Sequence, residues 1–216
     1  RTVSILEARD RIGGRAYTET ASFGVPFDHG CSWIHAYPRN PWTRIARESG
    51  FTLVEDHPDY WLYDGATPAP ASAEGDLWAA YGAYSGTIEQ AGMAGRDVSA
   101  ASVAPPAGPW SAAAADLLGP LDVGADMDQL STQDWYRMAW NEPELMVAEG
   151  LGAVVARYGA GLPVSLATPV ERVVWGGKGV ALETPNGTVR ARCAVITVST
   201  GILAARDIAF DPPLPL

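Results

Sequence analysis

The sequence predicts an α/β fold in which a mainly helical stretch interrupts a nucleotide-binding type of sheet. Three observations carry that expectation. An apolar strand at residues 3–6 ends on an acid, Glu7, and runs within a few residues into Gly13, Gly14 and Arg15. Late in the chain, three β-branched runs ("VERVVW", "GVALET" and "TVRARCAVITV") follow one another, punctuated by "GGK" and "PNG". Between them, Trp78, Tyr81, Tyr84 and Ile88 recur at helical spacing.

After the opening strand, "NPWTRIARESGF" reads as a helix. Asn40 suits the N-cap, Pro41 the first helical position, Ile45 the buried face, and Gly50 the position past the end. "FTLVED" is then a short strand. Composition shifts after residue 64: "DGATPAPASAEG" is a Pro/Ala loop, residues 76–90 form a helix, and an Ala/Pro-rich surface loop leads into short helices. "LSTQDWYRMAW" starts another helix capped by Ser131 or Thr132. "EGLGAVVARYGAGLPV" gives a helix over residues 151–158, a glycine stop and a strand entry. Asn186-Gly187 marks a hairpin. "CAVITV", apolar throughout, reads as a buried parallel strand. The expected organisation is a first nucleotide-binding segment over 1–63, a mainly helical insertion over 64–147, a second nucleotide-binding segment with the meander over 148–200, and a closing segment over 201–216.

The net charge of −10, with no local Lys/Arg cluster to offset it, argues against nucleic acid as a partner. Cys31 and Cys193 match no metal spacing and read as buried free thiols; no metal is expected. No uninterrupted apolar run reaches the roughly 18 residues of a membrane span. No charged-then-apolar leader is visible, and the expected location is the cytoplasm. Trp135, Tyr136 and Trp140 share one helical stretch and read as core or interface packing, ahead of an aromatic wall for a cationic ligand. His29 and His57 read as structural.

The string "EARDRIGGR" has a chemistry of its own. A carboxylate at a strand end can accept two hydrogen bonds from a ribose diol. Glycines let backbone approach a pyrophosphate, and an arginine can fork onto its oxygens. The string resembles the second nucleotide-binding motif of the flavin amine oxidases, the monoamine and polyamine oxidase superfamily. "FDHGCSWIH" is similar to that family's "D-x-G-A-S/T-W-I-H-G" segment, and "NPWTRIARESG" to the helix that follows it. The stretch from "GLPVSLATPVERVVW" through "CAVITVSTGIL" resembles its crossover meander, and "IAFDPPLP" its return to the substrate domain.

The resemblance implies a glutathione-reductase type of FAD-binding domain with an antiparallel meander, with the insertion over 64–147 serving as substrate domain and residues 201–216 returning toward it. Glu7 would hold the adenosine ribose, with Arg9 nearby. Gly13, Gly14 and Arg15 would meet the pyrophosphate and ribityl region. Gly30, Cys31, Ser32 and Trp33 would run beneath the flavin, with Cys31 in place of the usual Ala or Gly. Val170 would set its backbone against adenine. His35 matches the polyamine-oxidase histidine that lies near the substrate amine and is the candidate catalytic residue; Ala36 stands where the family has glycine.

The implied reaction is oxidation of an amine C–N bond to an imine, with FAD as cofactor, O2 as acceptor and peroxide as product. An amino-acid oxidase or a tryptophan-monooxygenase-like enzyme would share the scaffold. A desaturase or porphyrinogen oxidase would share the Gly-Gly-Arg motif, but "WIH" and "FDPPLP" argue against it. A non-catalytic remnant or interaction module is the reading from another class. A dinucleotide-binding fold sets its acid about 20 residues after a Gly-x-Gly-x-x-Gly turn, and only six residues precede Glu7. The resemblance therefore implies an internal piece of a longer protein. The glycine turn would lie upstream, an N5-side lysine and a second Gly-rich segment downstream, and the piece alone would be inactive.

Overall fold

A computed structural model describes residues 2–57, 61–138 and 143–215; the expected helical position of Trp140 lies outside them. The chain divides into two compact units, Arg1–Asp56 with Pro143–Leu216, and His57–Glu142.

The first unit begins with four short strands, β1 (Ile5–Leu6), β2 (Thr18–Glu19), β3 (Phe27–Asp28) and β4 (Trp33–Ile34). Helix α1 (Pro41–Glu48) and strand β5 (Leu53–Glu55) follow. α1 starts for the expected reason. The Asn40 side chain accepts from the Trp42 amide at 3.0 Å, and proline opens the first turn, where its missing N–H costs nothing. The helix buries Thr43 and Ala46, with Ile45 partly covered beside them.

In the second unit a hairpin of β6 (Tyr63–Asp64) and β7 (Thr67–Pro68) precedes three helices, α2 (Ala73–Met93), α3 (Ser111–Asp116) and α4 (Thr132–Arg137). Tyr84 and Ile88 of α2 pack with Leu118, Met127, Leu130 and Trp135 into one apolar cluster. Trp135 is thus a core residue, while Tyr136 is exposed. Ser131 is the cap of α4: its hydroxyl accepts from the Asp134 amide at 3.0 Å. Thr132 is buried because it closes two backbone groups. Its hydroxyl donates to the Arg96 carbonyl at 2.6 Å and accepts from the Val98 amide at 3.2 Å.

The chain then returns to the first unit through β8 (Leu145–Val147), α5 (Leu151–Gly159) and β9 (Val164–Ser165). Next come β10 (Arg172–Gly177), β11 (Gly179–Thr184), β12 (Gly187–Ala191), α6 (Thr200–Ala205) and β13 (Ala209–Asp211). β1 and β9 pair in parallel, Ile5 opposite Val164. β10, β11 and β12 form the antiparallel meander, which turns at Asn186-Gly187. β13 adds in parallel to the free edge of β10, so residues 201–216 belong to this unit. β8 inserts between β4 and β5, antiparallel to both. The apolar core of the unit is Ile34, Ala46, Val147, Leu151 and Val154.

Two expectations are corrected. "CAVITV" is not a strand, and it is not buried: Val195 is 85% exposed, and Ile196 and Val198 are also exposed. A parallel strand needs a neighbour, and no described strand lies beside this run. Cys31 and Cys193 are free thiols, but both are exposed. Each lies in a connecting segment outside the core, Cys193 at the start of that same unpaired run. Among the described residues, no helix is long and apolar enough to cross a membrane.

Candidate active site

Two segments far apart in the motif string are zipped together. β2 and β3 pair antiparallel with Thr18 opposite Asp28. The pairing continues outward through His29 N to Tyr17 O at 2.8 Å and Cys31 N to Arg15 O at 3.2 Å. Gly13, Gly14 and Arg15 therefore lie alongside Gly30 and Cys31. Gly13 turns the chain at φ 107°, a conformation L side chains rarely adopt. Gly30 lies so close to the Arg15 carbonyl that a Cβ there would fall 1.6 Å from its oxygen. Beside Gly14, by contrast, the space is open: nothing comes within 4 Å of where its Cβ would be.

Asp28, which the sequence reading gave no role, fixes this hairpin to α5. Its carboxylate accepts from the Leu151 amide at 2.9 Å, the Gly152 amide at 3.1 Å and the Thr18 hydroxyl. Thr18 Oγ1 in turn accepts from the Ala153 amide at 3.0 Å. The first three amides of α5, which have no partners within the helix, are thereby satisfied from β2 and β3. Asp28→Ala is expected to lower the stability of the intact protein by about 2 kcal/mol, the upper range for losing a helix cap. A urea melt checks this, and an unshifted midpoint would mean that α5 is held by packing alone.

Glu7 ends β1. Its amide donates to Ser165 O at 2.9 Å and its carbonyl accepts from Thr168 N at 2.8 Å. Arg9 O likewise accepts from Ala167 N at 2.7 Å. The segment leading to Val170 is thereby laid beside Glu7 and Arg9. One carboxylate oxygen of Glu7 accepts from the Arg9 amide at 2.8 Å. The Arg15 side chain is exposed and makes no hydrogen bond or ion pair among the described residues. Arg11 stacks its guanidinium 4.0 Å from the Tyr17 ring centroid, and its Nη1 is buried without a hydrogen-bond partner among the described residues. Tyr17 also stacks on His29, whose Nε2 meets Glu19 Oε1 at 3.0 Å. That imidazole, with the Ser22 and Ala21 groups, holds the Glu19 carboxyl down at about 2. Partial burial of the sulfur, and then the Asp28 charge, push the Cys31 thiol up. Cys31 thus stays protonated at neutral pH and acts as a small side chain.

His35 sits at the end of the three-stranded sheet β4-β8-β5. Residues of that sheet alternate in burial. Ile34, Leu145 and Val147 point into the core, while Trp33 and Val54 are exposed on the other face. The registers Trp33↔Met146 and Ile34↔Leu145 bring His35 opposite Glu144, and the two side chains meet through His35 Nδ1 and Glu144 Oε1. On the far side of β8, Asp56 follows Glu55↔Leu145, and its carboxylate accepts from Trp33 Nε1 at 2.6 Å. Ala36, in the family's glycine position, has φ 50°, which explains why glycine suits that position. Ser32 reaches only the Gly30 carbonyl, at 3.5 Å.

The α/β fold agrees with that of FAD-dependent amine oxidases of known structure. Residues 1–100 and 110–216 match the family described as flavin-containing amine oxidoreductases, and the chain belongs to that family. It is 28% identical over 247 residues to Polyamine oxidase 2 of Arabidopsis thaliana, covering 99% of this chain and 49% of that protein. It is 30% identical over 250 residues to Polyamine oxidase 3 of Oryza sativa subsp. japonica, covering 99% and 50%. The chain thus spans about half the length of these two relatives. Among solved structures, cyclohexylamine oxidase from Brevibacterium oxydans IH-35A shares the fold with a TM-score of 0.69 at 19% identity, covering 99% of this chain and 56% of that one. Putrescine oxidase bound to putrescine shares it with a TM-score of 0.65 at 18% identity and the same coverage.

Proposed function

We propose that the intact gene product is an FAD-dependent amine oxidase acting on a polyamine or a related cationic amine, and that this chain supplies much of its cofactor cradle. One observation carries the reading. The β2–β3 hairpin brings the Gly13–Gly14–Arg15 turn and the Gly30–Cys31 segment side by side, with open space at Gly14 and a guanidinium at Arg15 uncommitted among the described residues. These residues fit a dinucleotide. Glu7 would take the ribose diol, with Arg9 beside it, and Arg15 the pyrophosphate. Gly30, Cys31, Ser32 and Trp33 would pass beneath the flavin ring, and Val170 would lie against adenine. We assign the parallel β1–β9 pair and the meander to a glutathione-reductase type of domain.

Held by these residues, the flavin would supply hydride-accepting chemistry toward the carbon next to the substrate nitrogen, with O2 as the final acceptor and peroxide as product. The protein binds, orients and excludes water. His35 lies on the substrate side, at the end of the open sheet face. The relatives named as polyamine oxidases support a polyamine substrate, and a net charge of −10 suits a cationic one. Anaerobic mixing of the flavin-loaded intact protein with spermidine, putrescine and a neutral amide tests this. Bleaching of the flavin absorbance by the amines alone is the expected result. No bleaching with any amine would overturn the reading.

A further inference from the structure

Glu144 falls at the end of the stretch expected to form the helical insertion, and its partner is the candidate catalytic histidine. The pairing is set by strand register. Trp33↔Met146 and Ile34↔Leu145 put residues 35 and 144 directly opposite at the next position, on the face of the sheet that the core leaves open. There the Glu144 carboxylate accepts from His35 Nδ1. The backbone of His35 is held as well, because its carbonyl accepts from Asn40 Nδ2 at 2.9 Å. The His35 side chain is 54% exposed, and its Nε2 carries no hydrogen bond among the described residues. The other carboxylate in this row, Asp56, is engaged by Trp33 Nε1 at 2.6 Å and does not compete for the imidazole.

We infer that Glu144 is a positioning residue. It holds the proton of neutral His35 on Nδ1, so that the lone pair on Nε2 faces the substrate amine. The inference rests on the functional reading above. A protonated amine has no nitrogen lone pair to assist loss of hydride from the neighbouring carbon. His35 Nε2 takes the proton: an N–H bond of the substrate ammonium breaks, an Nε2–H bond forms, and the positive charge moves onto the imidazole. Both ring nitrogens then carry protons, and the Glu144 carboxylate stabilises the cation it faces. The recognised substrate is therefore an ammonium that carries at least one N–H and must lose a proton before oxidation.

The test uses the flavin-loaded intact protein labelled with 15N-histidine, with His35→Ala to assign the signal. In the wild type, His35 should show a protonated Nδ1 and an unprotonated Nε2. Glu144→Ala should release the ring to the other tautomer and slow amine-driven flavin reduction by at least about 10-fold, with flavin absorbance unchanged. Glu144→Gln, whose amide oxygen can still accept from Nδ1–H, should keep the tautomer and recover part of the rate. Since Glu144 lies outside the core, these variants should melt with the wild type. Wild-type rate or wild-type tautomer in Glu144→Ala would overturn the inference alone. Failure of the wild type itself to reduce flavin with any amine would overturn the functional reading, and this inference with it.

Discussion

Gly30→Ala is expected to undo the β2–β3 hairpin at the point where the two motif segments meet. The new methyl would lie 1.6 Å from the Arg15 carbonyl oxygen, so one backbone must move away from the other. The Cys31-to-Arg15 bond is then lost, and Arg15 shifts with it. The cost should be about 3 kcal/mol, the upper range for overpacking a site whose neighbour is backbone and cannot rotate aside. Gly14→Ala is the useful contrast. Its methyl meets nothing within 4 Å, so it should cost only the roughly 1–2 kcal/mol of placing alanine in a left-handed conformation. Thermal melts and flavin content of the two variants check this. Equal melting temperatures for Gly30→Ala and the wild type would show that the two segments are not packed as described.

His35→Ala is expected to reduce amine turnover by about 100-fold, the lower range for removing a positioned proton acceptor. The flavin spectrum should stay intact. His35 sits beyond the residues assigned to the flavin, at the exposed end of a sheet whose other face forms the core. Its removal leaves Ile34, Leu145 and Val147 packed as before. Steady-state turnover and absorbance, measured on the same preparation, separate the outcomes. Loss of flavin would make His35 a structural residue, and equal turnover would make it a bystander.

Local chemistry made parts of this fold legible in the sequence. Asn40 and Pro41 announce α1 because capping depends on a few adjacent residues, and Asn186-Gly187 announces the meander turn for the same reason. The acid, double glycine and arginine were equally plain. Pairing between distant strands was not. Glu144 precedes a three-residue apolar run, and only the register of β8 against β4 turns it toward His35. Asp28 sits inside a motif that suggested cofactor contact, yet its carboxylate is committed to α5 more than a hundred residues later. The run "CAVITV" misled for the opposite reason. Its composition suits a buried strand, but burial depends on a neighbour, and no described strand is there to pair with it.

Titrating FAD into the apo form of the intact protein, and into its Glu7→Gln and Arg15→Ala variants, tests the cofactor cradle most directly. Wild type should bind one FAD per chain. Each variant should bind it more weakly by about 1.5–3 kcal/mol, the scale of one hydrogen bond to a charged group, or roughly 10- to 150-fold in dissociation constant. Wild-type affinity in both variants would contradict the assignment of this turn to the dinucleotide.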